Sequence, residues 1–257
     1  MTKRLLSVVI IFFLATFVLS ACNFPSRQLN NAYTSVPSSV PVLQSTPTPT
    51  PLCGNPYFPN KVGDRWEYAG TNSFVSNYTR TDTITSSSDS TFTQETTLAD
   101  VTYSVQYNCS SAGITSANPI QQYAGALLSS PDSPVSVNLS SNMGTSLPAM
   151  INPGDTWQQS ADFAATSQQL NVNGRFVFDY NAVGYENITL PSGTYNALRV
   201  NGTIRIEVTG LHILAETYTT TVWLVPEIGM VKSEGTSHVT GVNFTDSMQL
   251  TSFTPAP

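Results

Sequence analysis

Strict alternation of apolar and polar residues is the feature that most limits the folds open to this chain. In VTYSVQYNC, Val101, Tyr103, Val105, Tyr107 and Cys109 fall on one side and Thr102, Ser104, Gln106 and Asn108 on the other. A period of two belongs to a half-buried strand, because successive side chains of extended backbone point to opposite faces. GTIRIEVTG repeats the pattern with Ile204, Ile206 and Val208, and RFVFDY sets Phe176, Phe178 and Tyr180 against Arg175, Val177 and Asp179. Only 10 % of residues are charged, while Thr, Ser, Asn, Val and Tyr abound, which suits pleated strands with hydroxyl-bearing outer faces better than helices. Asn173-Gly174, Pro191-Ser192-Gly193, Asn201-Gly202 and Thr209-Gly210 read as turns that punctuate an antiparallel meander. The expected fold class is all-β: one large curled antiparallel sheet, forming a half-barrel or a closed or two-layer β architecture, with little helix beyond the amino-terminal segment. Such a sheet must cover its apolar face with a second layer, a lid, a partner or a ligand. No long amphipathic stretch offers a lid, so self-closure or sheet-on-sheet packing is favoured.

A tetrapeptide pattern recurs inside this framework. KVGDRWEYAG, residues 61 to 70, and NPGDTWQQSA, residues 152 to 161, share Gly-Asp-x-Trp. Glycine permits a tight turn, aspartate accepts backbone hydrogen bonds within it, and the tryptophan two residues on enters a strand facing the core. Both copies are read as strand-opening corners of one domain, the alternative being a ligand role for Trp66 or Trp157.

The amino terminus points outside the cytoplasm. Lys3 and Arg4 precede an apolar run of 15 residues, Leu5 to Leu19, shorter than the roughly 20 residues a spanning helix needs. Small residues follow, as at the end of a cleaved signal peptide. The run closes on Leu19-Ser20-Ala21-Cys22, which resembles the lipobox of bacterial lipoproteins at all four positions. That resemblance implies cleavage before Cys22 and a diacylglycerol thioether on its sulfur, the alternative being an ordinary signal peptide with an incidental cysteine. Each buried methylene contributes about 0.8 kcal/mol, so several acyl chains hold a protein on a membrane where one does not. The expected organisation is residues 1–21 as signal peptide, 22–52 as lipidated cysteine and Pro/Ser/Thr-rich tether, and 53–254 as a single all-β domain. The tether carries no apolar period that could bury a core.

Chemistry-bearing residues are sparse. Without Lys3 and Arg4 the chain has 8 basic against 16 acidic residues, and the basic ones are scattered singly, which argues against nucleic acid as a partner. Cys53 and Cys109 stand on the exported, oxidising side and form a candidate disulfide that would close a loop of about 57 residues. His212 and His238 show neither metal-ligand spacing nor a neighbouring nucleophile elbow, and no Asp-rich calcium loop or cofactor motif occurs. No catalytic, metal or cofactor residue is therefore assigned, and the protein is expected not to be an enzyme. Among the aromatics, Trp66, Trp157, Tyr103, Tyr107, Phe176 and Phe178 are candidates to line an apolar ligand site, against ordinary core packing.

Four landmarks read together: YFPNKVGDRWEY at 57 to 68, INPGDTW at 151 to 157, LPSGTYNALRV at 190 to 200 and VWLVPEIGMVKSEG at 222 to 235. Their order resembles the TapB-like group of bacterial exported domains, over most of residues 57 to 250, and no catalytic residue comes with the resemblance. That group is distantly similar to the half-barrels of the lipoprotein carriers LolA and LolB, which implies a concave face able to hold acyl chains. The resulting expectation is a lipoprotein anchored through Cys22 to the cell membrane or outer membrane. Its non-catalytic β domain would bind lipid or another apolar small molecule. The alternatives are an envelope protein-interaction or structural module and, from a different class, a glycan or ester hydrolase.

Overall fold

Residues 52–73, 77–122, 136–166, 171–209, 215–239 and 242–257 are described by a computed structural model. The signal segment, Cys22, nearly all of the tether and His212 lie outside them, as does the side chain of His238. The described chain is a single antiparallel sheet of 13 strands with one turn of helix at 119–122, where the Asn118 side chain caps the Gln121 amide at 3.0 Å.

In chain order the strands are β1 Arg65–Asn72, β2 Tyr78–Ser87, β3 Thr91–Leu98, β4 Val101–Ser110, β5 Gly113–Ser116, β6 Ser136–Gly144 and β7 Leu147–Pro148. They continue with β8 Thr156–Thr166, β9 Asn171–Leu190, β10 Gly193–Thr209, β11 Ala215–Val225, β12 Gly229–Val239 and β13 Val242–Thr254. Their spatial order is β6-β8-β9-β10-β11-β12-β13-β1-β2-β3-β4-β5-β7. β6 and β7 stand at opposite edges of the sheet yet are joined by only Thr145 and Ser146. The sheet must therefore curl until its edges meet. No backbone ladder joins β5 to β6 among the described residues, so the sheet is not closed; side chains stitch the seam instead. Thr115 Oγ1 donates to Gly144 O at 3.1 Å, Asn142 Nδ2 to Ser116 O at 2.8 Å, and Gln159 Nε2 to Ser116 O at 3.1 Å.

Register carries one face around the whole curl, because directly paired residues of antiparallel strands point the same way. One such row runs Tyr78, Gly70, Met248, Ser233, Val222, Val200, Ala182. This inner face holds the main core: Trp66, Tyr68, Ile84, Phe92, Tyr103, Val105, Tyr107, Val231 and Leu250 are all buried. β4 shows the expected alternation, with Tyr103, Val105, Tyr107 and Cys109 buried and Thr102, Ser104, Gln106 and Asn108 exposed.

Both Gly-Asp-x-Trp copies are strand-opening corners, and they make the same hydrogen bonds. Gly63 N–H donates to Ile84 O at 2.9 Å, and Ile84 N–H returns to Asp64 O at 3.0 Å. In the second copy Gly154 N–H donates to Ala182 O at 2.6 Å and Ala182 N–H to Asp155 O at 2.9 Å. Asp64 Oδ2 accepts the Lys61 amide at 2.8 Å, as Asp155 Oδ2 accepts that of Asn152 at 2.7 Å. Gly63 and Gly154 have φ of 99° and 93°, values that disfavour any residue with a Cβ. The copies differ in depth: Asp64 is buried and also accepts the Ala256 amide at 2.8 Å, while Asp155 is exposed.

The segment 53–60 closes the corner end of the curl. Cys53 is disulfide-bonded to Cys109, 56 residues away, with Cα atoms 5.0 Å apart. Phe58 packs against Phe92 and Tyr107, with ring centroids 5.0 and 5.1 Å away, and Tyr57 covers Ala182, Leu198 and Leu224. Two of the sequence-predicted turns are corrected. Asn173-Gly174 and Asn201-Gly202 lie inside β9 and β10, which run on for 20 and 17 residues. Their glycines face inward beneath aromatic rings: a Cβ on Gly174 would come within 2.5 Å of the Phe163 ring, and one on Gly202 within 3.2 Å of Tyr180. These glycines make room for side chains of the neighbouring strand rather than for a chain reversal. Pro191-Ser192-Gly193 does form a turn, and Val225 ends β11 before a turn at 226–228.

Candidate ligand-binding face

The paired corners start two strand pairs whose inner faces differ in charge. In the first, Trp66 pairs with Asp82 and Tyr68 with Arg80; in the second, Trp157 pairs with Tyr180 and Gln159 with Phe178. Both pairs set aromatic residues inside; the first adds a charged pair, and the second leads along β8 and β9 to aromatic and aliphatic residues.

The polar half centres on an ion pair. Arg80 Nε donates to Asp82 Oδ1 at 2.8 Å; the side chains are 21 % and 6 % exposed, so the pair sits inside the curl. Thr96 Oγ1 donates to the same carboxylate oxygen at 2.8 Å, and Gln94 Nε2 to Thr96 Oγ1 at 3.1 Å. The two terminal nitrogens of Arg80 have no hydrogen-bond acceptor among the described residues. Tyr78 Oη donates to Asp246 Oδ1 at 2.9 Å and Tyr68 Oη to Met230 O at 3.0 Å. These groups feel one another. Burial pushes the Tyr68 phenol well above its ordinary range, and the Asp82 carboxylate adds to the shift. Tyr78 rises for the same reason, with Asp246 adding, and so does Tyr103, against the pull of Arg80. Burial is the largest influence on Arg80 and opposes its charge, but the charge and hydrogen bond of Asp82, with Tyr103 and Tyr68 adding, together outweigh it and hold the guanidinium more firmly protonated than usual. Asp246 is raised by burial, partly offset by the Tyr78 hydroxyl and Arg80.

The apolar half lies further along the long strands. Phe163, Ala165, Val172 and Ile120 form a small buried cluster, against which Val137, Leu139, Phe176, Ile206 and Val208 pack while remaining partly exposed. The Phe163 and Phe176 rings lie 4.9 Å apart and Phe176 stacks with Phe178 at 6.0 Å. Between the two halves several inner positions carry small residues, and neighbouring side chains fill the space over them. β12 presents Ser233, Gly235 and Ser237 there, beside Gly70 of β1 and Thr220 of β11. The Tyr218 side chain lies over Gly235, where a Cβ would overlap its hydroxyl, and the Tyr78 side chain lies over Gly70.

The sequence-predicted lining residues separate into two groups. Trp66, Tyr107 and Phe178 are 4 %, 2 % and 0 % exposed and fill the core: Trp66 Nε1 donates to Ile228 O at 2.5 Å and stacks on Phe253, and Tyr107 stacks on Phe92 at 4.8 Å. Tyr103 borders the Arg80 pair, while Trp157 and Phe176 are partly exposed on the inner face. Trp157 stacks on Tyr180 at 5.3 Å and donates from Nε1 to Ser146 O at 3.0 Å. Sequence reasoning missed Arg80, Asp82, Thr96 and Asp246. The signal was present in TRTDTITS, where Arg80 and Asp82 alternate in step with Ile84.

A family model described as DUF3108-like matches residues 127–238. No curated protein matches the chain. A solved structure from Bacteroides fragilis, described as an exported protein with a YmcC-like fold, is 15 % identical at a TM-score of 0.53, covering 78 % of this chain and all (100 %) of that one. Another, from Parabacteroides distasonis and described as a lipoprotein, is 13 % identical at a TM-score of 0.55, covering 79 % of this chain and 99 % of that one. At these identities the likeness is one of fold: the chain shares its curled sheet with both proteins.

Proposed function

We propose that this protein is an exported bacterial lipoprotein, held on a membrane through Cys22, whose β domain binds an apolar or amphiphilic molecule on its inner face without chemically altering it. The observation that carries this reading is the partly exposed apolar wall of Val137, Leu139, Phe176, Ile206 and Val208, continuous with the inside of a curled sheet whose opposite end is plugged by residues 53–60. Apolar side chains left open inside a curl favour a ligand that removes them from water. Export and anchoring are supported by the Leu19-Ser20-Ala21-Cys22 pattern and by the descriptions of the two structural neighbours.

Native mass spectrometry of the protein isolated from its own cell envelope tests the reading. A retained small molecule, lost on denaturation, is expected. An apo mass alone, with no uptake of added acyl compounds, would refute ligand binding. A second reading, an envelope interaction module, draws on the exposed Val62, Met150, Val183 and Tyr185, which are 56 %, 78 %, 46 % and 50 % exposed. It predicts a co-purifying protein in place of the small molecule.

A further inference from the structure

Resting on the ligand-binding reading, we propose that the ligand is a single-chain amphiphile with an oxyanion head group, its head held by Arg80 and its chain laid outward along the glycine- and serine-lined lane to the apolar wall. Three observations converge on this. First, among the described residues Arg80 is committed through Nε alone, so the planar fork of its terminal nitrogens is presented inside the curl, where a carboxylate or phosphate oxygen pair matches it. Second, Asp82 does not occupy that fork: its Oδ1 takes Nε of Arg80 and the hydroxyl of Thr96, which neutralises the guanidinium's charge while leaving its donors free. Recognition here depends on fork geometry more than on net charge. Asp246, the other carboxyl of the cluster, is turned to the Tyr78 hydroxyl.

Third, small residues and aromatic rings recur along the route from Arg80 to the apolar wall. Moving outward from the Arg80–Tyr68 pair, the next inner row holds Gly70, Met248, Ser233, Val222 and Val200, and the following one Asp246, Gly235, Thr220, Gly202 and Tyr180. Ile204, Ile206 and Val208 come after it. From Val200 to Val208 the strand covers about 27 Å at roughly 3.4 Å per residue. Gly70, Gly202 and Gly235 lie on this route beside Met248, Val222 and Val200, and the side chains of Tyr78, Tyr180 and Tyr218 lie across the three glycines. A buried ion pair is a poor stabiliser compared with apolar packing, so its presence at the head of an apolar lane is better explained by recognition.

The test uses the mature chain from residue 22 with Cys22→Ser, and a set of probes sharing one tetradecyl chain, each below its micelle concentration. Tetradecanoate, 1-tetradecanol, tetradecyltrimethylammonium and a lysophosphatidylglycerol with a fourteen-carbon chain are titrated by calorimetry. Tetradecanoate or the lysolipid is expected to bind at least tenfold tighter than the alcohol, as a charge-assisted bidentate pair supplies roughly that factor or more. Preference for the carboxylate would identify a free fatty acid as the source, and preference for the phosphate a lysolipid. Equal binding of acid, lysolipid and alcohol would overturn the Arg80 assignment while leaving the apolar site standing. Failure of every probe to bind would overturn the underlying ligand reading as well. Because Arg80→Met alone leaves Asp82 buried without its partner, the paired variant Arg80→Leu with Asp82→Asn is used. It should lose the head-group preference and keep the alcohol affinity, whereas an unchanged preference would contradict the proposal.

Discussion

Replacing each corner aspartate by alanine should separate two motifs that the sequence makes look equal. Asp64 is 2 % exposed and accepts two backbone amides, Lys61 and Ala256, both at 2.8 Å. Hydrogen bonds to a charged acceptor contribute about 1.5–3 kcal/mol each, and the orphaned amides are only partly reachable by water. Asp64→Ala is therefore expected to cost about 3–4 kcal/mol. Asp155 accepts one backbone amide, Asn152 at 2.7 Å, on an exposed corner where water can take over. Its replacement should cost about 1 kcal/mol, in the range of exposed capping residues. Asp64→Asn, which keeps one acceptor oxygen, should fall between them. Urea unfolding of the mature Cys22→Ser chain, followed by tryptophan fluorescence, measures the three against the parent, with equal slopes required before the midpoints are compared. Equal losses at the two corners, or a larger one at Asp155, would show that the depth of the first corner and its tie to the segment after β13 do not set its strength.

Other consequences follow from the same geometry. Cys53→Ser should lower stability by about 4 kcal/mol, the chain-entropy value for a closure of this length, read from the urea midpoint of the same chain. Gly113→Ala should loosen the seam, since Gly113 has φ of 130° and a Cβ there would lie 2.3 Å from the backbone oxygen of Leu147. A cost of about 3 kcal/mol is expected, with faster hydrogen exchange at the amides of Ser146 and Ala149, which bond to Ile114 O and Ala112 O where β7 pairs with β5 beside the seam. Asp246 has its carboxyl raised by burial in the folded protein, so the folded state holds its proton more tightly than the unfolded chain does. The resulting penalty is complete above the raised value and vanishes below the ordinary carboxylate value. Asp246→Asn should accordingly gain stability relative to the parent at neutral pH and lose that gain on acidification through this window, as unfolding midpoints at several pH values would show.

The all-β class, the strand alternation, the corner role of both Gly-Asp-x-Trp copies and the Cys53–Cys109 bond were legible because each is a local pattern with one dominant physical solution. Asn173-Gly174 and Asn201-Gly202 misled because a dipeptide that favours a hairpin turn also serves where a strand must pass under a ring. Only the partner strand, supplying Phe163 or Tyr180, decides between the two. The sharp curl was equally hidden, since it follows from β7 pairing with β5 at one edge of the sheet while its chain neighbour β6 pairs with β8 at the other. The Arg80 cluster escaped notice for a simpler reason. In a stretch where threonine and serine dominate both faces, Arg80 and Asp82 read as solvent-facing residues, and Ile84 alone marks their side as the inner one. Choosing lining residues by aromatic content selected Trp66, Tyr107 and Phe178, whose bulk makes them core, and passed over Ile206 and Val208, which remain partly open.

Quenching of Trp157 by a bromine-labelled acyl chain tests the central claim most directly. Trp157 is partly exposed on the inner face, while Trp66 and Trp223 are 4 % and 6 % exposed and packed into the core. Titrating the mature Cys22→Ser chain with a fatty acid brominated along its chain should quench part of the fluorescence saturably. Trp157→Phe should remove most of that quenchable part while leaving affinity for the unbrominated acid within a fewfold of the parent. Absence of saturable quenching, or quenching that survives Trp157→Phe intact, would contradict an acyl chain lying along the inner face.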